Sequence, residues 1–189
     1  MTVPTSKEEQ VQHNFNVNKK RILKPQSPRS RGKKTLVLDL DETLVHSSFK
    51  PPQDPSLVLS VEIEGRTLQV FVLVRPGVSE FLAEMSKYYE LIIYTASLSK
   101  YADPLMDILD KNRVCSARLF REHCTFYEEK YYVKDLSELN RNMSDIIIID
   151  NSPIAYLFQP ENALPILSWY EDLSDRKLFE YIPFLIQLS

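Results

Sequence analysis

Three segments of the chain are apolar at nearly every position, and each is followed by polar residues. They are Thr35–Leu38, Leu91–Tyr94 and Ile146–Ile149. A strand with one face in water alternates apolar and polar residues, whereas a strand of a parallel sheet is covered on both faces and is apolar throughout. The pattern therefore predicts three buried strands of one parallel sheet.

The rest of the chain alternates between helical and strand-like periods. It first predicts a β-hairpin at Leu57–Ile63 and Thr67–Val74, joined around Glu64-Gly65-Arg66. Two helices follow, one that begins after Pro76-Gly77 and one capped by Ser97 or Ser99. The remaining predicted elements are, in chain order, a β-like or irregular stretch at Ala117–Val133, a short helical connection at Ser137–Met143, a strand at Leu164–Trp169 and a helix capped by Ser174. The hairpin has one apolar face, which either packs on the core or borders a substrate site. Because strands and helices alternate, the predicted class is α/β, with a mainly parallel central sheet flanked by helices and a small β insertion.

Length and composition are those of one globular domain. The chain has 189 residues, of which 43% are hydrophobic and 26% are charged, and this is enough for a single core. We place the domain at residues 34–189 and interpret residues 1–33 as a disordered basic tail. No stretch is long enough for a large cap domain, so we expect a site that is open to a peptide.

Charge is distributed unevenly along the chain. Residues 1–34 hold nine Lys/Arg and two Glu, a charge of +7, while the remaining 14 Lys/Arg and 24 Asp/Glu give −10. An acidic body argues against direct nucleic-acid binding. The basic cluster between Lys19 and Lys34 is interpreted as a nuclear import signal, an anion-binding arm or a solvated tail.

Several classes of protein are excluded by what the sequence lacks. No apolar run approaches the roughly 20 residues needed to span a bilayer, and the N-terminal residues lack the apolar core of a secretion signal. Two cysteines make no disulfide framework, so a reducing compartment is expected. Three glycines are too few and too scattered for a glycine-rich phosphate loop. A protein of this composition that handles phosphate must use metal, lysine and non-glycine amides.

Acidic and hydroxyl side chains stand at the ends of the three predicted strands. Asp39 and Asp41 follow the first, Thr95 follows the second, and Asp150-Asn151 follow the third. In parallel sheets ligands bind beyond the carboxyl ends of the strands, so these residues are expected at one rim. A single aspartate at a strand end is usually a turn or a helix cap, but two buried carboxylates one residue apart are costly unless a metal or a reaction requires them.

Phosphoryl transfer accounts for this set of residues, with Lys134 added. It requires a nucleophile, cations around the phosphoryl oxygens and a proton for the leaving group. Asp39 suits the nucleophile and Asp41 the general acid and base, provided that its surroundings raise its pKa. Asp150 with Asn151 suits Mg²⁺, which prefers hard oxygen ligands. The hydroxyl and backbone amide of Thr95, together with Lys134, are predicted to bind phosphoryl oxygens.

Four motifs extend this pattern into a resemblance to a known family. They are Asp39–Ser48 (D-L-D-E-T-L-V-H-S-S), Tyr94–Ser97, Tyr132–Leu136 and Ile149–Pro153. In this order they resemble the haloacid-dehalogenase (HAD) superfamily in its FCP/SCP branch, and most closely the small phosphatases of the RNA polymerase II C-terminal domain. The resemblance runs from about Lys34 to the end. Tyr127–Tyr131 departs from the family pattern, with an extra residue and two glutamates.

The resemblance implies a Mg²⁺-dependent protein serine/threonine phosphatase that acts through an aspartyl-phosphate on Asp39. Metal ligands would be Asp39, Asp150, Asn151 and the backbone carbonyl of Asp41. The implied peptide-binding residues are Phe49, Val61, Ile63, Val70, Leu98, Arg121 and Tyr132. The implied substrate is a phosphoserine or phosphothreonine peptide, such as the C-terminal repeats of RNA polymerase II. A monomer is expected, in the nucleus or alternatively in the cytoplasm, without direct binding to nucleic acid or membrane.

Three alternatives remain at the level of sequence. Cys115 and Arg121 have the C-x5-R spacing of cysteine-dependent phosphatases, but the residues between them are bulky and lack glycine. An inactive HAD-like binding scaffold is disfavoured because Asp39 and Asp41 are both present. A phosphatase of another phosphoprotein, or of a small molecule, would use the same catalytic groups.

Overall fold

The computed structural model describes residues 21–52, 54–63 and 65–189, and within these its centre is a five-stranded sheet. In spatial order the strands are β10 (Ala163–Pro165), β9 (Ile146–Asp150), β1 (Lys34–Leu38), β5 (Tyr89–Tyr94) and β6 (Cys115–Leu119). Neighbouring strands run parallel throughout. The predicted α/β class with a parallel central sheet is confirmed.

Strand β1 lies in the middle of the sheet, and its end is level with the ends of its two neighbours. Leu38 is opposite Ile93 of β5 and Ile149 of β9. The amide of Asp39 extends the ladder by donating to the Ile149 carbonyl at 3.0 Å. Residues that follow β1, β5 and β9 therefore meet at one edge of the sheet, where ligands bind in folds of this type.

An antiparallel three-stranded sheet is inserted between β1 and the first helix. Its strands are, in spatial order, β2 (Val45–Ser48), β4 (Arg66–Val74) and β3 (Leu57–Ile63). The pair β3–β4 is the predicted hairpin. Its turn contains Gly65 at a φ of 75°, a left-handed conformation that favours glycine. Glu64, also part of the predicted turn, lies outside the described residues.

Three α-helices occur in the described residues. They are α1 (Val78–Tyr88), α2 (Ser99–Leu109) and α3 (Lys177–Leu188). The predicted serine caps were wrong, because the N-cap positions of α2 and α3 are Leu98 and Arg176, with no capping side chain. The hydroxyl of Ser97 donates to Asp41, and that of Ser174 donates to a neighbouring aspartate, so neither reaches the helix end.

Two further predicted elements differ from those in the structure. The connection Ser137–Met143 contains no α-helix but is bordered by two 3-10 turns, Leu136–Glu138 and Met143–Asp145. The strand predicted at Leu164–Trp169 is only the three-residue β10. The chain leaves the sheet beyond it, since the amide of Trp169 donates to the carbonyl of Glu42 at 2.7 Å.

The β-like stretch contains β6 and a short antiparallel ribbon. The ribbon strands are β7 (Thr125–Tyr127) and β8 (Tyr131–Val133). Glu128 and Glu129 form its turn with positive φ values of 49° and 51°. The segment that departs from the family pattern is therefore this turn.

Alternate residues of β1 enter two different apolar clusters. Leu36 and Leu38 pack in the cluster that contains buried residues of all three helices. Val37 packs on the opposite face with Leu136 and Tyr156. Because successive side chains of a strand point to opposite faces, burial of both faces explains why this strand is apolar throughout.

Residues 21–33, which the sequence analysis assigned to the basic tail, contact the second face of the sheet. Leu23 is buried in the cluster around Val37. The amide of Ile22 donates to the Glu138 carbonyl at 2.9 Å, and the side chain of Gln26 donates to Glu90 at 3.2 Å. Packed residues thus begin before the predicted boundary at residue 34. The rest of the predicted disordered tail, residues 1–20, lies outside the described residues.

Within the part of the chain that the structure describes, no helix has both the length and the apolar character needed to cross a bilayer.

Candidate active site

The carboxyl edge of the sheet brings together the acids and the lysine that are predicted as site residues. The Lys134 ammonium donates to Asp39 Oδ1 at 2.5 Å and to Asp150 Oδ2 at 2.6 Å. All three side chains are buried. The backbone of Lys134 follows β8 and is held by a 2.7 Å hydrogen bond from its amide to the carbonyl of Ala155.

The charges of Lys134, Asp39 and Asp150 affect the pKa values of Lys134 and Asp150. Burial alone would lower the pKa of Lys134, but the carboxylates of Asp39 and Asp150 outweigh it and raise the pKa. Burial raises the pKa of Asp150, and the charge of Lys134 opposes that change. Lys134 is therefore a fixed cation between two acids, and with both acids ionised the group carries one negative charge in excess.

Oxygen atoms suited to a hard cation converge at the same point. The hydroxyl of Thr43 is 2.9 Å from Asp39 Oδ2 and 3.3 Å from Asn151 Oδ1. The amide nitrogen of Asn151 donates to Ser168 at 2.9 Å, which turns the amide oxygen toward Asp39. A hydroxyl shared by both oxygens shows that Asn151 lies beside the Asp39 carboxylate.

The oxygen atoms of Asp39, Asp150 and Asn151 are ligands of the kind that Mg²⁺ prefers. Among the described residues no group of three or more His, Cys, Asp or Glu side chains is placed to hold a metal. Mg²⁺ is usually held by only one or two carboxylates and keeps several waters. Two carboxylates, Asp39 and Asp150, with the amide oxygen of Asn151 beside them, match that preference, and the excess negative charge favours a divalent cation.

Asp41 lies in a different environment from Asp39. Its Oδ2 accepts from Ser97 at 2.7 Å and from Thr95 Oγ1 at 3.3 Å, and its Oδ1 accepts from the Tyr101 hydroxyl at 2.9 Å. Burial raises the pKa of Asp41 and the charge of Asp39 raises it further, while the three hydroxyl groups oppose these changes. One acid is thus paired with a cation and the other only with neutral donors.

Two of these donors, Ser97 and Tyr101, were missed as site residues in the sequence. Ser97 was interpreted as a helix cap and Tyr101 as part of an apolar helix face. A possible signal was the spacing from Ser97 to Tyr101, because residues four apart share one face of a helix. Ser97 immediately precedes α2, however, so helical spacing applies there only approximately.

The backbone amide of Thr95, which was predicted to bind a phosphoryl oxygen, already has a partner in the sheet. Its amide donates to the carbonyl of Leu119 at 2.9 Å, as a continuation of the β5–β6 ladder. This amide is therefore not open to a phosphate oxygen. The hydroxyl of Thr95 accepts from the amide of Ser97 at 3.0 Å and lies beside Asp41.

An apolar pocket of about 280 Å³ opens beside Asp41. Five of the seven predicted peptide-binding residues line it: Phe49, Ile63, Val70, Leu98 and Arg121. The side chains of Phe49 and Leu98 are exposed there. Exposure of these two side chains makes the pocket accessible from solvent.

Val61 and Tyr132 do not line this pocket. Val61 is buried in the main core, because its side chain points from β3 into the interior. Tyr132 lies under the guanidinium of Arg121, which is 5.0 Å from the ring centroid. The Arg121 side chain also donates to the Ala96 carbonyl at 2.7 Å. Tyr132 is therefore a neighbour of a pocket residue rather than part of the pocket surface.

Cys115 and Arg121 do not form a cysteine-phosphatase loop. Cys115 begins β6, whereas Arg121 follows the far end of that strand. Burial raises the pKa of the Cys115 thiol, and the neighbouring Asp110 raises it further. A thiol that remains protonated is a poor nucleophile.

Comparison with known proteins identifies phosphatases as relatives of this chain. The family model of NLI interacting factor-like phosphatases matches residues 34–189. CTD small phosphatase-like protein 1 of Caenorhabditis elegans is 54% identical over 173 residues, which is 92% of this chain and 35% of that protein. The human CTD small phosphatase-like protein is 54% identical over 158 residues, 84% of this chain and 57% of that protein.

A third relative and a solved structure extend this comparison. Phosphatase PSR1 of Saccharomyces cerevisiae is 52% identical over 168 residues, 89% of this chain and 39% of that protein. The chain thus spans between about one third and three fifths of the length of these three relatives. The solved structure of Fcp1, described as an essential RNA polymerase II CTD phosphatase, has a TM-score of 0.63 at 21% identity, over 82% of this chain and 49% of that one. At that identity the likeness concerns the fold.

Proposed function

This chain belongs to the NLI interacting factor-like phosphatases, and on that premise we propose that it removes phosphate from phosphoserine and phosphothreonine in proteins. The resemblance found in the motifs of the sequence is thereby confirmed at the level of family. The observation that most supports the proposed reaction is the contrast between Asp39, paired with the Lys134 ammonium, and Asp41, held by three hydroxyl groups.

In the proposed reaction Asp39 is the nucleophile. Lys134 and Thr43 each hold one of its oxygens, which fixes the direction of the carboxylate. A carboxylate oxygen bonds to phosphorus as the bond from phosphorus to the serine or threonine oxygen breaks, leaving an aspartyl-phosphate. In this proposal Lys134 and the hydroxyl of Thr95 contact the phosphoryl oxygens.

Asp41 moves the protons in both halves of the reaction. Burial and the charge of Asp39 raise its pKa, and Asp41 is therefore the acid that we propose gives its proton to the departing serine or threonine oxygen. The resulting carboxylate then takes a proton from the water that attacks the aspartyl-phosphate. Inorganic phosphate leaves, and both aspartates return to their starting forms.

Mg²⁺ would be held by Asp39, Asp150, Asn151 and the backbone carbonyl of Asp41. When bound, it supplies positive charge that offsets the negative charge of the phosphoryl oxygens. The Asn151 amide nitrogen donates to Ser168, so this hydrogen bond would not compete with the cation for the amide oxygen.

The proposed substrate is the phosphorylated C-terminal domain of RNA polymerase II. Support comes from the names of relatives, among them the mouse carboxy-terminal domain RNA polymerase II polypeptide A small phosphatase 2, which is 50% identical over 168 residues, 89% of this chain and 62% of that protein. The apolar pocket beside Asp41 suits an uncharged part of such a peptide. Action on this substrate would place the protein in the nucleus, and action on another phosphoprotein would be compatible with the cytoplasm. We further propose that the protein acts as a monomer and binds neither nucleic acid nor membrane directly.

The test uses the full chain with two kinds of substrate. We expect Mg²⁺-dependent hydrolysis of p-nitrophenyl phosphate that is lost in Asp39→Asn without loss of folding, as monitored by circular dichroism. A panel of singly phosphorylated polymerase repeat peptides and unrelated phosphopeptides then tests the substrate. Equal rates across the panel would refute the polymerase assignment. A folded wild-type protein that is inert on every substrate but still binds a partner would refute the enzyme and favour the scaffold.

A further inference from the structure

A basic groove of about 580 Å³ lies between residues 22–29 and the part of the sheet formed by β6 and its neighbour β5. Five cations line it: Lys24, Arg29, Arg113, Arg118 and Arg141. Glu90 is the one carboxylate among the described residues that line it. Lys24 and Arg29 come from the basic segment 1–34, and the other three cations come from residues 35–189, which carry a formal charge of −10. The two parts of the chain together concentrate positive charge at this groove, which suggests an anionic ligand.

Two of the five cations are already neutralised by protein carboxylates. Arg141 donates to both oxygens of Glu90, at 2.6 and 2.8 Å. Arg118 donates to Asp103 at 2.6 Å and to Asp107 at 2.9 Å. Their charges therefore serve the fold rather than a ligand.

The other three cations, Lys24, Arg29 and Arg113, are exposed, and none forms an ion pair within the residues that the structure describes. The guanidinium of Arg29 reaches the backbone carbonyl of Arg113, at 3.5 Å, which brings the two arginines to the same end of the groove. The groove thus presents three unneutralised positive charges to solvent.

One turn of 3-10 helix, Arg121–His123, separates this groove from the candidate active site. Arg121, at the start of the turn, lines the apolar pocket beside Asp41. His123, at its end, lines the basic groove. A peptide that leaves the active site over this turn would therefore enter the groove directly.

The dimensions of the groove suit an extended peptide. β6 has five residues, so it is about 16 Å long. β6 is also the last strand of the sheet, with no further strand paired to its outer side in the described part of the chain. A peptide that crosses the turn and follows β6 needs about six to eight residues beyond the phosphorylated residue in the active site.

We propose that the groove binds a second phosphorylated stretch of the same polypeptide whose phosphoserine or phosphothreonine occupies the active site. This inference rests on the proposed phosphatase activity and specifies its substrate as a multiply phosphorylated chain. The phosphate of the second stretch pairs with Lys24, Arg29 and Arg113, which increases the affinity for substrate without a role in the chemical step.

The test compares two peptides that differ in one phosphate. Both carry a phosphoserine for the active site, and one carries a second phosphoserine about seven residues away. We expect the wild-type protein to show a KM about tenfold lower for the doubly phosphorylated peptide. Lys24→Glu with Arg113→Glu should abolish this difference, because it reverses two of the three charges that bind the second phosphate. The variant should still fold, because neither side chain forms an ion pair that the structure describes. Higher salt should reduce the difference as well.

A matched variant controls for the change in net charge. Arg66→Glu with Lys111→Glu makes the same change at exposed positions that do not line the groove and that form no ion pair in the described part of the chain, and it should preserve the tenfold difference. Equal KM values for the two peptides in the wild-type protein, or an unchanged difference in the groove variant, would overturn the groove proposal. Absence of activity toward either peptide and toward p-nitrophenyl phosphate in the wild type would instead overturn the proposed function.

Discussion

The guanidinium of Arg75 donates to both carboxylate oxygens of Asp175, at 2.8 Å each. Arg75 is buried at the end of β4 and also donates to the carbonyl of Thr43 at 3.1 Å. The side chain of Thr43 in turn contacts Asp39. A residue near the C-terminal helix is therefore connected through one arginine to the loop that carries the proposed nucleophile.

Loss of this pair should lower stability in a pH-dependent way. Hydrogen bonds from Arg75 hold the pKa of Asp175 below its ordinary value of 3.8. A lowered pKa means that the pair stabilises the folded protein above that value, and that this stabilisation is lost as the pH falls through the folded-state pKa. We expect Asp175→Asn to reduce the free energy of unfolding at pH 7 by about 2 kcal/mol, because it leaves a buried arginine without its partner.

Urea unfolding of the wild type and Asp175→Asn between pH 3 and pH 7 measures this effect. The difference between them should decrease as the pH falls below about 4. Asp103→Asn is the matched control, because its partner Arg118 is nearer the surface and keeps Asp107. It should cost less than about 0.5 kcal/mol. Equal costs for the two variants would contradict the proposed importance of the Arg75 pair.

Substitution of Asp41 should separate the two halves of the proposed reaction. Asp41→Asn removes the acid that protonates an alkoxide, and general acid catalysis typically contributes 10²–10⁴-fold. Rates with phosphoserine peptides should fall by about that amount. p-Nitrophenolate is a good leaving group that needs little protonation, so its release in the first turnover should persist while the second step is slow.

Rapid-mixing kinetics distinguish these steps. The expected result with Asp41→Asn is a burst of p-nitrophenol close to one equivalent per enzyme, followed by slow turnover. Asp39→Asn should show no burst. If Asp41→Asn reduced the first turnover equally for both substrates, Asp41 would not be the proton donor to the leaving group.

The apolar pocket should affect peptides more than small substrates. Leu98→Ala removes apolar area at the pocket and is expected to raise the KM for phosphopeptides about tenfold, equivalent to about 1.4 kcal/mol. The KM for p-nitrophenyl phosphate should change less. Ile108→Ala is a suitable control, because Ile108 is 37% exposed and Leu98 is 38% exposed, and Ile108 does not line the pocket. A similar effect of both substitutions on peptide KM would exclude a specific role for Leu98.

Metal removal and thiol modification should have opposite outcomes. EDTA should abolish activity and added Mg²⁺ should restore it, since the Asp39 and Asp150 carboxylates are the proposed ligands. Iodoacetamide should have little effect, because burial raises the pKa of Cys115 well above neutrality and that of Cys124 to about 11. Activity that resists EDTA and disappears with iodoacetamide would support the cysteine mechanism instead.

Much of the fold was predictable because its signals are local. The uninterrupted apolar runs identified the central parallel strands, and a turn glycine between two alternating segments identified the β3–β4 hairpin. Helix capping was not predictable from residue type alone, since Ser97 bonds to an aspartate 56 positions away. Likewise, periodicity showed that the hairpin has an apolar face, but it did not show that Val61 and Val70 both lie in the core and that only Val70 of the two also lines the pocket.

By itself, the sequence determined the family, the parallel sheet and the types of side chain at the ends of its strands, because periodicity, residue type and motif order are properties of short segments. Only the tertiary structure decided that Lys134 lies between Asp39 and Asp150, that three hydroxyl groups surround Asp41, and that a basic groove begins one turn away from the pocket. These relationships depend on distances between residues that are far apart in the chain. Because Asp39 is paired with a cation and Asp41 only with hydroxyl groups, these two aspartates have different chemical properties although they lie two positions apart.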